Sequence, residues 1–219
     1  MITIAIPTSD MPNKEALFQR CLESLWDQDY QDFEVVVTDN SEDDVIQKMC
    51  EYYKTGIRYY KNPIKGMAQN TNEAIRRSKG DLIKILYMDD FLSENFALDR
   101  MVKWFHKGWL VACCAHTHDG KYLSRPHTPV YSDDIHTGHN TIGSPSVMMI
   151  KNDDPLLFDE NMTWLLDCDY YKRMYARYGK PTVVKEILIG IGLHDGQATN
   201  TMGEERKLQE YQYIMKKYA

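Results

Sequence analysis

The chain has 219 residues, 43% of them hydrophobic and 26% charged, which fits one substantial core and excludes disordered and collagen-like classes. A formal net charge of -6 offers no broad positive field, so nucleic acid is excluded as a general partner, while a single nucleotide needs only a local site.

Ile2 to Ile6 reads as a short apolar strand stopped by Pro7, and a helix follows from about Lys14 to Gln28 with Leu17, Cys21, Leu22 and Leu25 on one stripe. Phe33 to Val37 is a β-branched strand that ends in Thr38-Asp39-Asn40-Ser41, a turn able to cap a helix from about Asp43 to Tyr53. Ile57 to Tyr60 is a third strand, and a helix from about Met67 to Ser78 stops at Gly80. Asp81 to Leu86 is a fourth strand, leading into Asp89-Asp90. Strands alternating with helices of this length predict βαβ units and a mostly parallel sheet, with the turns near Thr8, Asp39 and Asp89 opening on one edge.

The second half is less regular. Helices are expected over Phe96–Phe105, Leu166–Tyr178 and Glu204–Lys217, and strands over Leu110–Ala115, Ser146–Ile150 and Thr182–Ile189. The stretch from His116 to His139 has no clear periodicity and reads as loops or short hairpins over a site. Five cysteines (Cys21, Cys50, Cys113, Cys114 and Cys168) lack CxxC spacing, which argues against a zinc-thiolate site or a disulfide scaffold and for a reducing cytoplasm. Met1 to Pro7 carries no basic leader, and no window approaches the roughly 20 apolar residues of a membrane span. Peripheral attachment at the inner face of a membrane stays open.

The chemistry-bearing residues are mostly acids. Asp89 and Asp90 follow a buried strand, where an open α/β sheet binds ligands and where hard oxygen donors suit Mg²⁺ or Mn²⁺. Their bland alternative is capping of the helix that begins near Asn95. Asp39 could accept hydrogen bonds from a base or ribose, or simply form its turn. Asp167 and Asp169 point in different directions on a helix; Asp169 can pair with Arg173, which leaves Asp167 beside apolar surface as a base. His194 lies in the polar turn Gly192-Leu193-His194-Asp195-Gly196. The other histidines lack HExxH spacing, and neither GxxxxGK[ST] nor a GxGxxG after the first strand is present, so P-loop hydrolysis and dinucleotide redox chemistry lose their main supports.

In order and spacing these pieces resemble the family 2 glycosyltransferases of GT-A fold. Ile4-Ala5-Ile6-Pro7-Thr8 looks like the family's first strand and turn, and Cys21-Leu22-Glu23-Ser24-Leu25-Trp26-Asp27-Gln28 like its first helix. Glu34 to Ser41 carries the acid that reads the base in relatives, and Asn62 to Asn72, with Ala74 and Gly80, resembles the helix leading into the metal strand. Tyr87-Met88-Asp89-Asp90 stands for the family's Asp-x-Asp motif with its first acid replaced by Tyr87. Trp164 to Tyr170 resembles the segment of the catalytic base, matching Asp167, and His194 the late histidine of the metal site.

The resemblance implies a Rossmann-like, mostly parallel α/β sheet in a single domain over 1–219, with 1–91 as the nucleotide-sugar half and 92–219 as the acceptor half. It implies an inverting transfer from a nucleotide diphosphate sugar, most often a UDP-sugar, to a glycan or lipid-linked hydroxyl. Donor contacts would come from Pro7, Thr8, Asp39, Asn40, Gly66, Asn72, Met88 and Asp89; Asp89 and His194 would hold Mn²⁺ or Mg²⁺; and Asp167 would be the base. A metal-dependent sugar nucleotidyltransferase and a non-catalytic nucleotide- or carbohydrate-binding protein are the alternative readings.

Overall fold

A computed structural model describes residues 1–53 and 56–219. The chain runs β1 (Ile2–Thr8), α1 (Lys14–Trp26), β2 (Phe33–Asp39), α2 (Val45–Tyr53), β3 (Ile57–Lys61), α3 (Met67–Arg77), β4 (Leu82–Ile85), β5 (Phe91–Leu92) and α4 (Ala97–Trp104). It continues through β6 (Trp109–Thr117), β7 (Ser124–His127), β8 (Met148–Lys151), α5 (Leu166–Tyr178), β9 (Thr182–Gly192), α6 (Ala198–Thr201) and α7 (Glu204–Lys217).

Among the described residues the strands form one sheet in the order β3-β2-β1-β4-β8-β6-β9-β5, with β7 on β6. The first four run parallel, as the alternation of strands and helices predicts. β1 is buried at every position, as a central strand covered on its faces must be, which explains its mostly apolar sequence. α1 buries Phe18, Cys21, Leu22 and Leu25 at helical spacing, and α3 packs on β1 and β2.

The expectation of a mostly parallel sheet needs correcting: the sheet is mixed. β8 enters antiparallel between β4 and β6, and β5 and β7 also pair antiparallel, while β6 and β9 are parallel to each other. β8 is reached through the irregular stretch after β7 and not through a crossover helix, so nothing obliges it to run parallel. The strand at Asp81 to Leu86 is also shorter than its apolar run: β4 ends at Ile85, and the chain then bends toward the acidic pair.

Candidate active site

The carboxyl ends of β1, β4 and β9 open on a cleft of about 670 Å³, which also takes in the 140–145 loop and the start of α5. Such an edge is where an open α/β sheet leaves loops free to hold a ligand.

At the end of β1 Thr8 lines the cleft and donates from Oγ1 to Asp39 Oδ1 at 3.0 Å. Asp39 is fully buried beneath this wall and does not line it. It also accepts from the Ser41 amide at 2.8 Å, the Tyr59 hydroxyl at 2.8 Å and Lys61 Nζ at 3.1 Å. Burial pushes its pKa up, but the Ser41 amide, Tyr59 and Lys61 outweigh burial and hold the carboxyl below its ordinary value.

Asn40 braces the neighbouring loop, donating to the carbonyls of Asn62 and Ile64 at 2.8 and 3.0 Å and accepting from the Gly66 amide at 3.1 Å. Pro7, Asn40, Gly66 and Met88 all line the cleft. Asn72 does not: it is buried behind the wall, where it exchanges hydrogen bonds with Phe158 and Glu160. Asn70, one turn along α3, donates to the Thr8 and Thr38 carbonyls at 2.8 and 2.9 Å and ties the ends of β1 and β2.

At the end of β4 the two acids separate, as consecutive residues must. Asp89 faces the cleft, and its Oδ2 lies 3.0 Å from His194 Nε2. That contact raises the His194 pKa against the opposing effect of burial, while His194 Nδ1 is buried without a hydrogen-bond partner. Gly192 permits the approach, because a Cβ there would stand 2.2 Å from the Asp89 carbonyl oxygen. Asp90 turns inward, accepting from the Gly192 amide at 3.0 Å and from Ser144 Oγ at 3.1 Å. Burial first, and then the charge of Asp89, push its pKa up. Below it Lys84 is fully buried on β4 and donates to the carbonyls of Ile85 and Ser146, with its pKa lowered by burial. Tyr87 also lines the cleft, and its amide is held by Ser146 Oγ at 2.9 Å.

On the far side Asp167 sits half-buried in the first turn of α5. Asn140 Nδ2 donates to its Oδ2 at 2.7 Å, and the Cys168 amide to its Oδ1 at 2.7 Å. Burial nevertheless dominates and raises its pKa to about 6, a value suited to a general base near neutral pH. Asp169 points away into the core and pairs with Arg173 at 2.7 Å, as its spacing predicts.

The cleft therefore gathers Thr8, Asn40, Asp89, His194 and Asp167 from five separate stretches of chain. Among the described residues no group of three or more His, Cys, Asp or Glu side chains is placed to hold a metal ion, so Asp89 and His194 stand as a pair. Sequence reasoning did not single out Asn70, Asn140, Ser144 or Lys84. Asn70 and Asn72 left a trace, since asparagines in a helix interior cost propensity and call for a reason. Asn140, in an aperiodic stretch, left none.

The family model for "Glycosyl transferase family 2" matches residues 3–174. The chain belongs to that family. Its sequence is 27% identical over 244 residues to the uncharacterized protein MT1568 of Mycobacterium tuberculosis (strain CDC 1551 / Oshkosh), covering 98% of the chain and 74% of the relative. It is 26% identical to the putative colanic acid biosynthesis glycosyl transferase WcaA of Escherichia coli K12, covering 100% of the chain and 81% of that protein. Among solved structures, Staphylococcus aureus TarS 1–349 in complex with UDP-GlcNAc has a TM-score of 0.75 at 18% identity, with 97% of this chain covering 65% of that one. The mannosyltransferase PcManGT of Pyrobaculum calidifontis, in complex with GDP-Man and Mn²⁺, has a TM-score of 0.68 at 16% identity, covering 99% of this chain and 63% of that one. The chain thus has the GT-A fold of this family and spans about two thirds of the length of these two structures.

Proposed function

We propose that the protein is an inverting glycosyltransferase that moves a sugar from a nucleotide diphosphate donor to an acceptor hydroxyl. The observation that carries this reading is a half-buried carboxylate, Asp167, aimed by Asn140 and the Cys168 amide in the same cleft as the Asp89–His194 pair.

Asp167 takes the proton of the acceptor hydroxyl. The acceptor oxygen forms its bond to the anomeric carbon as the bond from that carbon to the diphosphate oxygen breaks. A single displacement inverts the anomeric centre, the same logic by which a base activates the incoming oxygen from the face opposite the leaving group. Asn140 fixes the direction of Asp167, while Thr8, Asn40 and Gly66 form the wall offered to the nucleoside.

The Asp89 carboxylate and the His194 imidazole, 3.0 Å apart at the cleft surface, are the side chains that would hold a Mn²⁺ or Mg²⁺ ion. Bound there by Asp89 and His194, the ion would neutralise charge that grows on the departing diphosphate.

The solved relatives carry UDP-GlcNAc in one case and GDP-Man in the other, so both bases belong in the test, with a UDP-sugar as the leading donor. A glycan or lipid-linked saccharide acceptor accords with the relative named for colanic acid biosynthesis. The five cysteines are unpaired and buried, which supports a reducing cytoplasmic setting, with attachment at the inner membrane face where the acceptor is lipid-linked. Among the described residues no helix is long and apolar enough to cross a membrane.

The test is calorimetric titration with UDP and GDP, each with and without Mn²⁺, on the wild type and on Asp89→Ala. Metal-dependent binding of one nucleotide, lost in the variant, supports the reading. Cleavage of the matching nucleotide sugar should then be lost in Asp167→Asn, whereas failure of both nucleotides to bind would overturn it.

A further inference from the structure

Glu210 lies on α7, beyond the stretch matched by the family model, and is 1% exposed. Its side chain reaches the residues just before α5. Oε1 accepts from the Thr163 amide at 2.9 Å, and Oε2 accepts from the amides of Trp164 and Leu165 at 2.8 and 3.1 Å. The residue preceding α5, Leu165, offers no side-chain cap, and Glu210, from a distant element, fastens the three residues that lead into this helix. A carboxylate at that position is also favoured by the positive end of the helix dipole.

A second fastening follows Asp167 in the chain. Asp169 is fully buried and accepts from Lys217 Nζ at 2.8 Å and from the Tyr218 hydroxyl at 2.7 Å, in addition to Arg173. The C-terminal helix therefore grips the turn that carries Asp167 on both sides of it. Thr163, Trp164 and Asp167 line the cleft, and Glu210 does not.

We propose that Glu210 is a positioning residue for the reaction. By fixing the 163–165 amides it sets the direction of Asp167 and the place of Trp164 in the cleft wall, so α7 belongs to the machinery that aims the base. The proposal rests on Asp167 being the base. Charge-assisted hydrogen bonds hold geometry tightly, and displacing a catalytic group by about 1 Å costs on the order of 100-fold in rate.

The test compares Glu210→Gln and Glu210→Ala with Leu208→Ala, a change on the exposed face of the same helix. The donor is whichever of UDP-GlcNAc and GDP-Man carries the nucleotide that binds in the titration above, with water as acceptor and release of the nucleoside diphosphate as readout. Amide exchange over 163–168 reports the contact itself. In Glu210→Ala we expect nucleotide affinity and donor KM within about twofold of wild type, kcat lower by about 10- to 100-fold, a displaced acid limb in the pH profile, and faster exchange at 163–165. Glu210→Gln keeps one acceptor oxygen and should fall between, while Leu208→Ala should match the wild type.

Faster exchange at 163–165 with wild-type kcat and pH profile would overturn the proposal, as would equal losses in nucleotide affinity and kcat. If Glu210→Ala fails to fold, the isosteric Gln variant decides. Failure of both to fold would assign Glu210 to the core alone and overturn the proposal. Asp167→Asn, assayed alongside, separates the two claims: retained donor cleavage there defeats the base assignment whatever Glu210 does.

Discussion

Asn140 Nδ2 lies 2.7 Å from Asp167 Oδ2, while Asn140 Oδ1 takes the amides of Ile142 and Gly143 at 3.0 and 2.8 Å. A loop side chain, itself locked by its own loop, thus points at the proposed base. Asn140 lowers the Asp167 pKa against the larger effect of burial. Asn140→Ala should therefore raise that pKa above about 6 and move the acid limb of the activity profile to higher pH. A pH–rate profile measured on both proteins checks this; an unmoved limb would detach Asn140 from the base.

Asp167 also carries a stability cost. Its folded pKa of about 6 lies above the ordinary 3.8, so the folded protein binds the proton more tightly than the unfolded chain. Its contribution to stability is greatest in acid, declines as pH rises through the window from about 4 to 6, and stays unfavourable above it. Asp167→Asn should abolish transfer yet stabilise the protein at pH 7 by on the order of 1 to 2 kcal/mol, after allowance for partial solvent screening. Thermal melts of both proteins at pH 4 and pH 7 should show the gain only at the higher pH.

Gly192, the last residue of β9, packs against the backbone of Asp89, beyond the end of β4. A Cβ at this position would stand 2.2 Å from the Asp89 carbonyl oxygen, so Gly192→Ala forces these two backbone segments apart. Nucleotide binding that depends on Mn²⁺ should weaken at least tenfold, because Asp89 and His194 no longer face each other at a fixed distance. Titration with and without the metal measures it, and an unchanged metal dependence would count against the pair as a metal site.

Lys84 and Asp90 are both buried, and the charge of Asp90 raises the Lys84 pKa against the larger, lowering effect of burial. Lys84→Met removes the donor to the Ile85 and Ser146 carbonyls and should cost about 1 to 3 kcal/mol. Lys84→Met with Asp90→Asn should recover part of that loss. Denaturant unfolding of the single and double variants gives the coupling, and strict additivity would show that the two residues act independently.

Much of the donor side was legible because its signals are local. Apolar runs mark β1, β2 and β4, and the acids at their ends lie within a few residues of the strands that carry them. The acceptor side is different. Asn140 and Asp167 are separated by 27 positions and Glu210 and Leu165 by 45, and no periodicity connects them. Asp39 and Asn72 show a third case: both were singled out, and both prove to be buried struts behind the cleft wall. A type of residue at a strand end narrows the chemistry, but the direction of its side chain depends on packing that only the folded chain supplies. Sheet direction was misjudged for a similar reason, since the placing of β8 follows from its neighbours and not from its own sequence.

β8 bonds β4 on one edge and β6 on the other. It joins the β1, β2, β3 and β4 side of the sheet to the β6 and β9 side by continuous backbone hydrogen bonds. On the proposed function, donor and acceptor would meet over one continuous floor. Adjustment to different partners falls to the rim, to the loops around Lys65, Asn140 and Gln197, where the sequence can change without disturbing that floor.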